Sequence, residues 1–316
     1  MNLKLKGFAA GAFSAICYGT NPLGGLFLYE EGLSPESVLF FRFLIGLVIL
    51  CVILLCSHRS FRLSLEELSL VAVLGVLFAV SALSLYSSFL HMAAGVASTL
   101  LFSYPVFVAI FMACLFREKI SAITLLSIVI TFAGVALLCL DGTEQSWDYY
   151  GALLVLLSSL SYAVYMIVVN KSKVKISALK LNVYVLLFCL LSILVYSLFI
   201  EQHSIIAPRS LKGWFFAVWL GIVPTVFSLV FLVKAIHLIG STPTAVIGAL
   251  EPLTAVLIGI LVFKEPFYPA LGLGMTLILL GVVLVICSRQ LSILRLSESL
   301  SVWGKKFKKH WRWRVS

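Results

Sequence analysis

Three ionisable side chains stand inside a long stretch that is otherwise almost wholly apolar up to its closing Lys264-Glu265. Lys234, His237 and Glu251 all fall within Phe231–Glu265, FLVKAIHLIGSTPTAVIGALEPLTAVLIGILVFKE. A charge in a low-dielectric interior is costly, so such residues mark places that bind charged groups or move protons. The stretch reads as a membrane helix, a tight turn near 239–243, and a second membrane helix. At a rise of ~1.5 Å per residue, Lys234 lies ~7–10 Å from that turn and Glu251 ~12–14 Å. The difference is within the span of a lysine stem, so the two can pair if their faces meet. Lys234 suits a carboxylate or phosphate, and Glu251 suits a cation or a proton. The bland reading has Lys234 reaching for the membrane surface and Glu251 packed as a hydrogen-bonded or neutral residue. Burial and a neighbouring cation would pull the protonation of Glu251 in opposite directions.

Five more residues could line the same space. Tyr18 and Asn21 flank the GTNPLGG run at 19–25, where Pro22 and three glycines can break a helix and leave polar backbone facing a cavity. The other reading of that run is a tolerated kink with small residues for close packing. Ser88 closes a hydroxyl-rich segment with Ser81, Ser84, Ser87 and Tyr86, whose serines can equally bond their own helix backbone. Tyr104 precedes Pro105, and Tyr162 is followed by Tyr165. Their hydroxyls could orient a substrate.

The elements that must hold these residues are membrane helices. The chain is 62% hydrophobic and 11% charged over 316 residues, against roughly half apolar and a quarter charged in a soluble domain. Apolar runs of about twenty residues, the length that crosses a bilayer core, recur throughout. Ten spans are expected, at about 7–29, 36–57, 66–91, 95–116, 121–140, 150–170, 181–200, 213–238, 243–263 and 268–288. The first resembles a signal peptide but continues past Asn21-Pro22 without a clear cleavage site, so it reads as uncleaved. Arg42 sits two turns into the second span. It could bind a carboxylate in the pathway, but capping carbonyls or reaching the interface is the preferred reading. Pro224 removes a helix bond in span eight and predicts a kink there. Ser241-Thr242-Pro243 reads as a helix start.

The net charge of +10 falls in short loops and the tail, the pattern of membrane orientation rather than of nucleic-acid binding. With the N-terminus inside, eighteen of the 23 Lys and Arg residues are cytoplasmic, three are external, and Arg42 and Lys234 lie within the membrane. Both termini are therefore expected in the cytoplasm. The tail, 289–316, mixes four aromatic residues from Trp303 to Trp313 with lysines and arginines. That composition suits either a segment lying on anionic lipids or a basic tail that only fixes orientation. The seven cysteines lie in apolar runs with no CxxC or metal spacing.

The chain is also one unit written twice. Gly7, Ser14 and Tyr18 align with Gly151, Ser158 and Tyr162 at an offset of 144. His91 aligns with His237 at 146, and Pro105, Phe116, Glu118 and Gly134 align with Pro252, Phe263, Glu265 and Gly281 at 147. Lys234 and Glu251 occupy the places of Ser88 and Tyr104. Five spans per copy return the chain to the opposite side, so the second copy enters the membrane upside down. Inverted repeats are a recurrent device of carriers, with the binding site near the midplane between halves.

The paired segments HMAAGVASTLLFSYPVFVAIFMACLFREKIS and HLIGSTPTAVIGALEPLTAVLIGILVFKEPF resemble the two halves of the drug/metabolite transporter superfamily, specifically the EamA family. Pro105…Phe116-x-Glu118, Glu251-Pro252…Phe263-x-Glu265 and Tyr18-Gly19-x-Asn21 carry the likeness, which spans about 7–288. It implies a carrier of the bacterial inner membrane, usually an exporter of amino acids or other small metabolites, and a structural role for Glu118 and Glu265 as much as a transport role. No HExxH, GxSxG or GxxxxGK[ST] is present, so neither an enzyme nor an ATP-driven pump is indicated.

The expected architecture is an all-α polytopic membrane protein of ten helices, in two inverted five-helix repeats at 1–140 and 149–288 followed by the tail. The expected function is secondary transport of small organic metabolites such as amino acids, outward and by alternating access, driven by a proton gradient, with Glu251 as the coupling carboxylate, or by the substrate gradient. The competing readings are a multidrug-type exporter of apolar cations, with Glu251 as counter-charge, and a non-transporting receptor or scaffold. No cofactor, metal or nucleic acid is expected. The partners are a small substrate and the lipid bilayer, and a homodimer stays open.

Overall fold

The computed structural model describes residues 3–57, 60–117, 121–140, 148–172, 176–201 and 204–287. The tail and Glu118, both read above from sequence, lie outside the described residues. Fourteen α-helices and two π-helical turns, Tyr196–Ile200 and Ile222–Phe227, carry the described chain, with no strand among those residues. The α-helices are α1 (Leu3–Gly19), α2 (Asn21–Glu30), α3 (Pro35–Cys56), α4 (Leu65–Ser88), α5 (Ala94–Leu101), α6 (Tyr104–Phe116) and α7 (Ala122–Leu140). The rest are α8 (Tyr149–Lys171), α9 (Ala178–Val195), α10 (Leu211–Gly221), α11 (Ser228–Ile239), α12 (Ser241–Ile247), α13 (Leu250–Leu261) and α14 (Pro269–Cys287).

Among the described residues, eight stretches are helical, long and apolar enough to cross a bilayer, and Ala122–Leu138 is a shorter apolar helix. The protein is multi-pass. Its polarity is arranged for lipid: Leu115, Phe199, Leu125, Leu153 and Leu261 are exposed, while Ser81, Ser158, Ser159 and Thr99 are buried. Each of these four buried hydroxyls finds a partner. Ser158 Oγ donates to the Ser81 carbonyl at 2.7 Å, and Thr99 Oγ1 to that of Gly95 at 2.8 Å.

Helix starts follow local rules. Ser64 and Glu67 form a reciprocal capping box at α4. Prolines open α2, α3 and α6 in the first turn, where a missing N–H costs nothing. Farther along a helix the same residue is disruptive, because the carbonyl four residues upstream loses its donor.

Four spans are interrupted on that account. The first breaks at Thr20 ahead of Pro22, as its Pro and Gly content suggests. Span eight passes through a π-helical turn, Ile222–Phe227, around Pro224. Spans four and nine, read from sequence as continuous, break at Phe102–Ser103 and Gly248–Ala249, just upstream of Pro105 and Pro252. The Leu101 carbonyl that Pro105 deprives of a donor accepts from Ser159 Oγ at 3.3 Å. The Leu220 carbonyl, four before Pro224, accepts from Thr225 Oγ1 at 2.8 Å. A freed carbonyl in lipid costs several kcal/mol, so these hydroxyls are what make the breaks tolerable.

The strongest packing joins helices from the two ends of the chain. α1 lies on α11 and α13, α4 on α8 and α9, α3 on α9 and α10, and α5 on α13. Close approach at α1–α13 depends on Gly19, where a β-carbon would sit 2.6 Å from the Glu251 carbonyl oxygen. α7 and α14 pack against each other beside this core, through Gly134 and Gly274.

Candidate functional site

The helix breaks converge on one interior region. Tyr18 and Asn21 flank the first, Tyr104 follows the second, Thr225 lies in the π-helical turn, and Glu251 follows the last. Interrupted helices expose polar backbone and side chains at depth, the usual construction of a membrane-embedded binding site.

Arg42 organises this region. It is 3% exposed. Its Nε donates to Thr225 Oγ1 at 3.1 Å and its Nη1 to the Tyr86 hydroxyl at 2.9 Å. The guanidinium carbon lies 5.1 Å from the Phe43 ring centroid, 5.6 Å from that of Tyr86 and 6.0 Å from that of Tyr18. Tyr86, fully buried, passes the network on by donating to Asn21 Oδ1 at 3.3 Å. Tyr29 fixes Tyr86 in turn, its hydroxyl donating to the Tyr86 carbonyl at 2.8 Å. A guanidinium has five N–H donors in a planar fork, so these bonds leave donors over for a carboxylate.

Glu251 is the opposite charge. It lies deep among the helices, within electrostatic reach of Arg42, Tyr18, Tyr104 and Tyr162. No side-chain hydrogen bond holds its carboxyl among the described residues. Glu251, Tyr18, Tyr104, Tyr162 and Tyr165 all keep partial exposure despite their depth, so they face an internal space rather than close-packed atoms.

An aromatic wall runs along that space. Phe43 meets Phe78 at 5.6 Å, Phe78 meets Tyr165 at 5.9 Å, and Tyr165 stacks on Tyr162 at 5.6 Å and 5°. Tyr162 meets Tyr104 edge-on at 4.7 Å. Such rings supply apolar surface with polar tips, and their faces attract cations.

The sequence candidates fall into two groups. Tyr18, Asn21, Tyr104, Tyr162 and Glu251 come together, joined by Arg42, Tyr86 and Thr225, which the sequence did not put forward as site residues. Lys234 stands apart. It is exposed, with its Nζ 5.7 Å from the Phe231 ring centroid. Ala235, one residue on, is the fully buried residue on α11 beside α1. One residue is ~100° of helix rotation, so Lys234 points away from that contact and Arg42 is the cation near Glu251. Ser88 is buried and donates to the Leu85 carbonyl at 2.6 Å, a bond within its own helix. The signal that could have found Arg42 was its type and depth: an arginine two turns into an apolar span is a site hypothesis by default.

Comparisons with known proteins decide the family. A model of the EamA-like transporter family matches residues 5–140 and again 149–287. The chain belongs to the EamA-like transporter family. It is a membrane transporter of the drug/metabolite type, and the two repeated segments quoted above fall one within each match. Uncharacterized transporters resemble it along nearly their whole length. One from Clostridium kluyveri is 24% identical, covering 88% of this chain and 92% of its own. YcbK of Bacillus subtilis is 26% identical, at 89% and 90%. One from Archaeoglobus fulgidus is 27% identical, at 88% and 95%. A crystal structure superposes with a TM-score of 0.63 at 19% identity, over 90% of this chain and 98% of the other, and so shares the fold.

The transporter's central network also permits a test of its rigidity. Tyr86→Phe strands Arg42 Nη1 and Asn21 Oδ1 in a buried setting. Hydrogen bonds to charged groups contribute about 1.5–3 kcal/mol. The variant is expected to unfold correspondingly earlier in detergent, measured by intrinsic fluorescence against denaturant. An unchanged midpoint would show that the network holds nothing together.

Proposed function

We propose that this transporter is a secondary carrier of small zwitterionic metabolites, amino acids among them, working by alternating access in the bacterial inner membrane. The observation that carries the reading is the shared chamber of Arg42 and Glu251. Arg42 matches a carboxylate in a planar, two-pronged way, and Glu251 complements an ammonium group. The tyrosine wall accommodates an apolar side chain and positions hydroxyls around it. Export is the proposed direction, with protons at Glu251 exchanging against substrate.

Alternating access calls for two halves of five spans each, inverted with respect to one another. Ten spans are reached by counting each interrupted helix once and including α1–α2 and α7. The packing of first-half helices onto second-half helices supports this arrangement, because a cavity between halves opens by rocking one against the other. The charge distribution supports cytoplasmic termini. In a cysteine-free full-length chain, a single cysteine at Ser34 is expected to react with an impermeant thiol reagent from outside, and one at Ser60 or Ser172 from inside. Reaction at Ser172 from outside alone would overturn the ten-span inverted arrangement.

The substrate class is tested by counterflow in proteoliposomes. Amino acids should exchange, and their decarboxylated amines and deaminated acids should not, since each lacks one of the two charges. The ring faces of Tyr104 and Tyr162 beside Glu251 favour a second reading, an exporter of apolar cations. Amines that exchange as well as the amino acids do would select it.

A further inference from the structure

One carboxylate outside the chamber joins the two halves. Glu265 follows α13 and reaches the start of α5, where its Oε1 accepts from the Ala94 N–H at 2.9 Å and its Oε2 from the Gly95 N–H at 3.4 Å. The residues around it are shaped for it. A β-carbon at position 259 would sit 2.1 Å from Oε2, and one at position 95 would sit 3.3 Å away. α13 ends in a turn that folds back, with the Glu265 N–H donating to the Gly259 carbonyl at 3.0 Å. Lys264 takes a left-handed φ of 59° to allow it. Left-handed residues commonly end helices, and Arg117 closes α6 in the same conformation, at φ 53°.

Neighbouring charged groups are engaged elsewhere. Lys264 Nζ donates to the Leu261 carbonyl at 3.2 Å. His91, at the approach to α5, lies 2.8 Å from Asp148 Oδ2 and packs edge-on against Tyr150. The Glu265 carboxylate is thus held by helix amides. The turns at 30–34, 89–93 and 262–268 share one face, the external one by the charge distribution.

We propose that Glu265 is the latch that keeps this face of the carrier closed, by clasping the first amides of α5 across the two halves. The proposal rests on the alternating-access reading. For the chamber to open outward, α5 and the end of α13 must part, and this pair of bonds must break.

Burial raises the pKa of Glu265 above the usual carboxylate range, partly countered by the Ala94 and Gly95 amides. A group whose pKa is higher in the closed state than in open water binds its proton more tightly when closed. Closure is therefore favoured as pH falls, and opening as pH rises. Glutamine, the neutral isostere of the protonated acid, keeps an oxygen for the Ala94 amide and should hold the latch shut at every pH. Alanine should release it, and Gly259→Ala should release it too by expelling the carboxylate.

The test uses the full chain with its native cysteines replaced and one cysteine introduced in place of Tyr162 in the chamber wall. A membrane-impermeant methanethiosulfonate is applied from outside across about pH 5 to 8. Because the thiolate is the reacting form and grows with pH in every variant, rates are compared with that of Glu265→Ala at the same pH. Relative to it the parent should label about tenfold more slowly at low pH and approach it as pH rises, Gly259→Ala should match it, and Glu265→Gln should stay slow by the same factor at every pH. An alanine variant that stays folded but labels at the parent's rate overturns the latch. A parent profile as flat as that of Glu265→Gln overturns it also. Equal labelling of the parent from both sides would instead sink alternating access itself.

Discussion

Arg42→Gln is expected to abolish exchange of zwitterionic substrates while leaving inserted, folded protein. Truncating one partner of a buried, hydrogen-bonded charge pair costs about 2–5 kcal/mol of binding, which is on the order of thirtyfold to several thousandfold in kcat/KM. Arg42→Lys separates charge from shape. The ammonium keeps the positive charge, but it cannot bond Thr225, Tyr86 and a substrate carboxylate from one planar fork. It should recover part of the lost rate. Counterflow in proteoliposomes, beside a melting curve for each variant, checks both. Full exchange in a folded Arg42→Gln protein would remove the guanidinium from the binding site and leave it a structural tie between α3 and the π-helical turn.

Glu251→Gln is the second large effect. If Glu251 binds the ammonium end, losing its charge should weaken binding at least about thirtyfold. If it also exchanges a proton against substrate, uptake by the variant should lose its dependence on pH between about 5 and 8. Tyr18, Tyr104 and Tyr162 are untouched by the substitution, and glutamine fills the same volume, so insertion and folding should hold. Uptake measured across that range separates two outcomes. A variant that binds weakly but keeps the parent's pH profile assigns coupling elsewhere. A variant that transports like its parent at every pH leaves facilitated or substrate-exchange transport as the better mechanism.

Much of the chamber could be read from residue types. Glu251, Tyr104 and Tyr162 announce themselves as polar groups in apolar runs, and Tyr18-Gly19-x-Asn21 sits at a break that Pro22 and three glycines make plain. Arg42 is visible too, but a sequence gives its depth along one helix alone. Its true setting depends on Tyr86, 44 residues away, and Thr225, 183 away, and no local pattern shows that these meet it. Lys234 differs in the other direction. Its distance from the turn was compatible with pairing, but the rotation of α11, set by Ala235 packing near Gly11, carries it off. The breaks in spans four and nine follow from Pro105 and Pro252 by the same rule applied to Pro224, and a count of deprived carbonyls would have placed them.

Those carbonyls also bear on how the chain is made. The first half emerges from the ribosome with two needs it cannot fully meet. Leu101 has a carbonyl without its helical donor, and Arg42 has Tyr86 but not yet the second partner of its guanidinium. Ser159 and Thr225, which answer them, are synthesised later. The nascent first half is therefore an incomplete body in the membrane, and the arrival of α8 and the π-helical turn finishes it. Assembly is then a docking of helices already inserted, keyed by polar contacts rather than by oil. A lesion at Ser159 or Thr225 would show first as protein cleared before it matures, and only afterwards as a fault in transport.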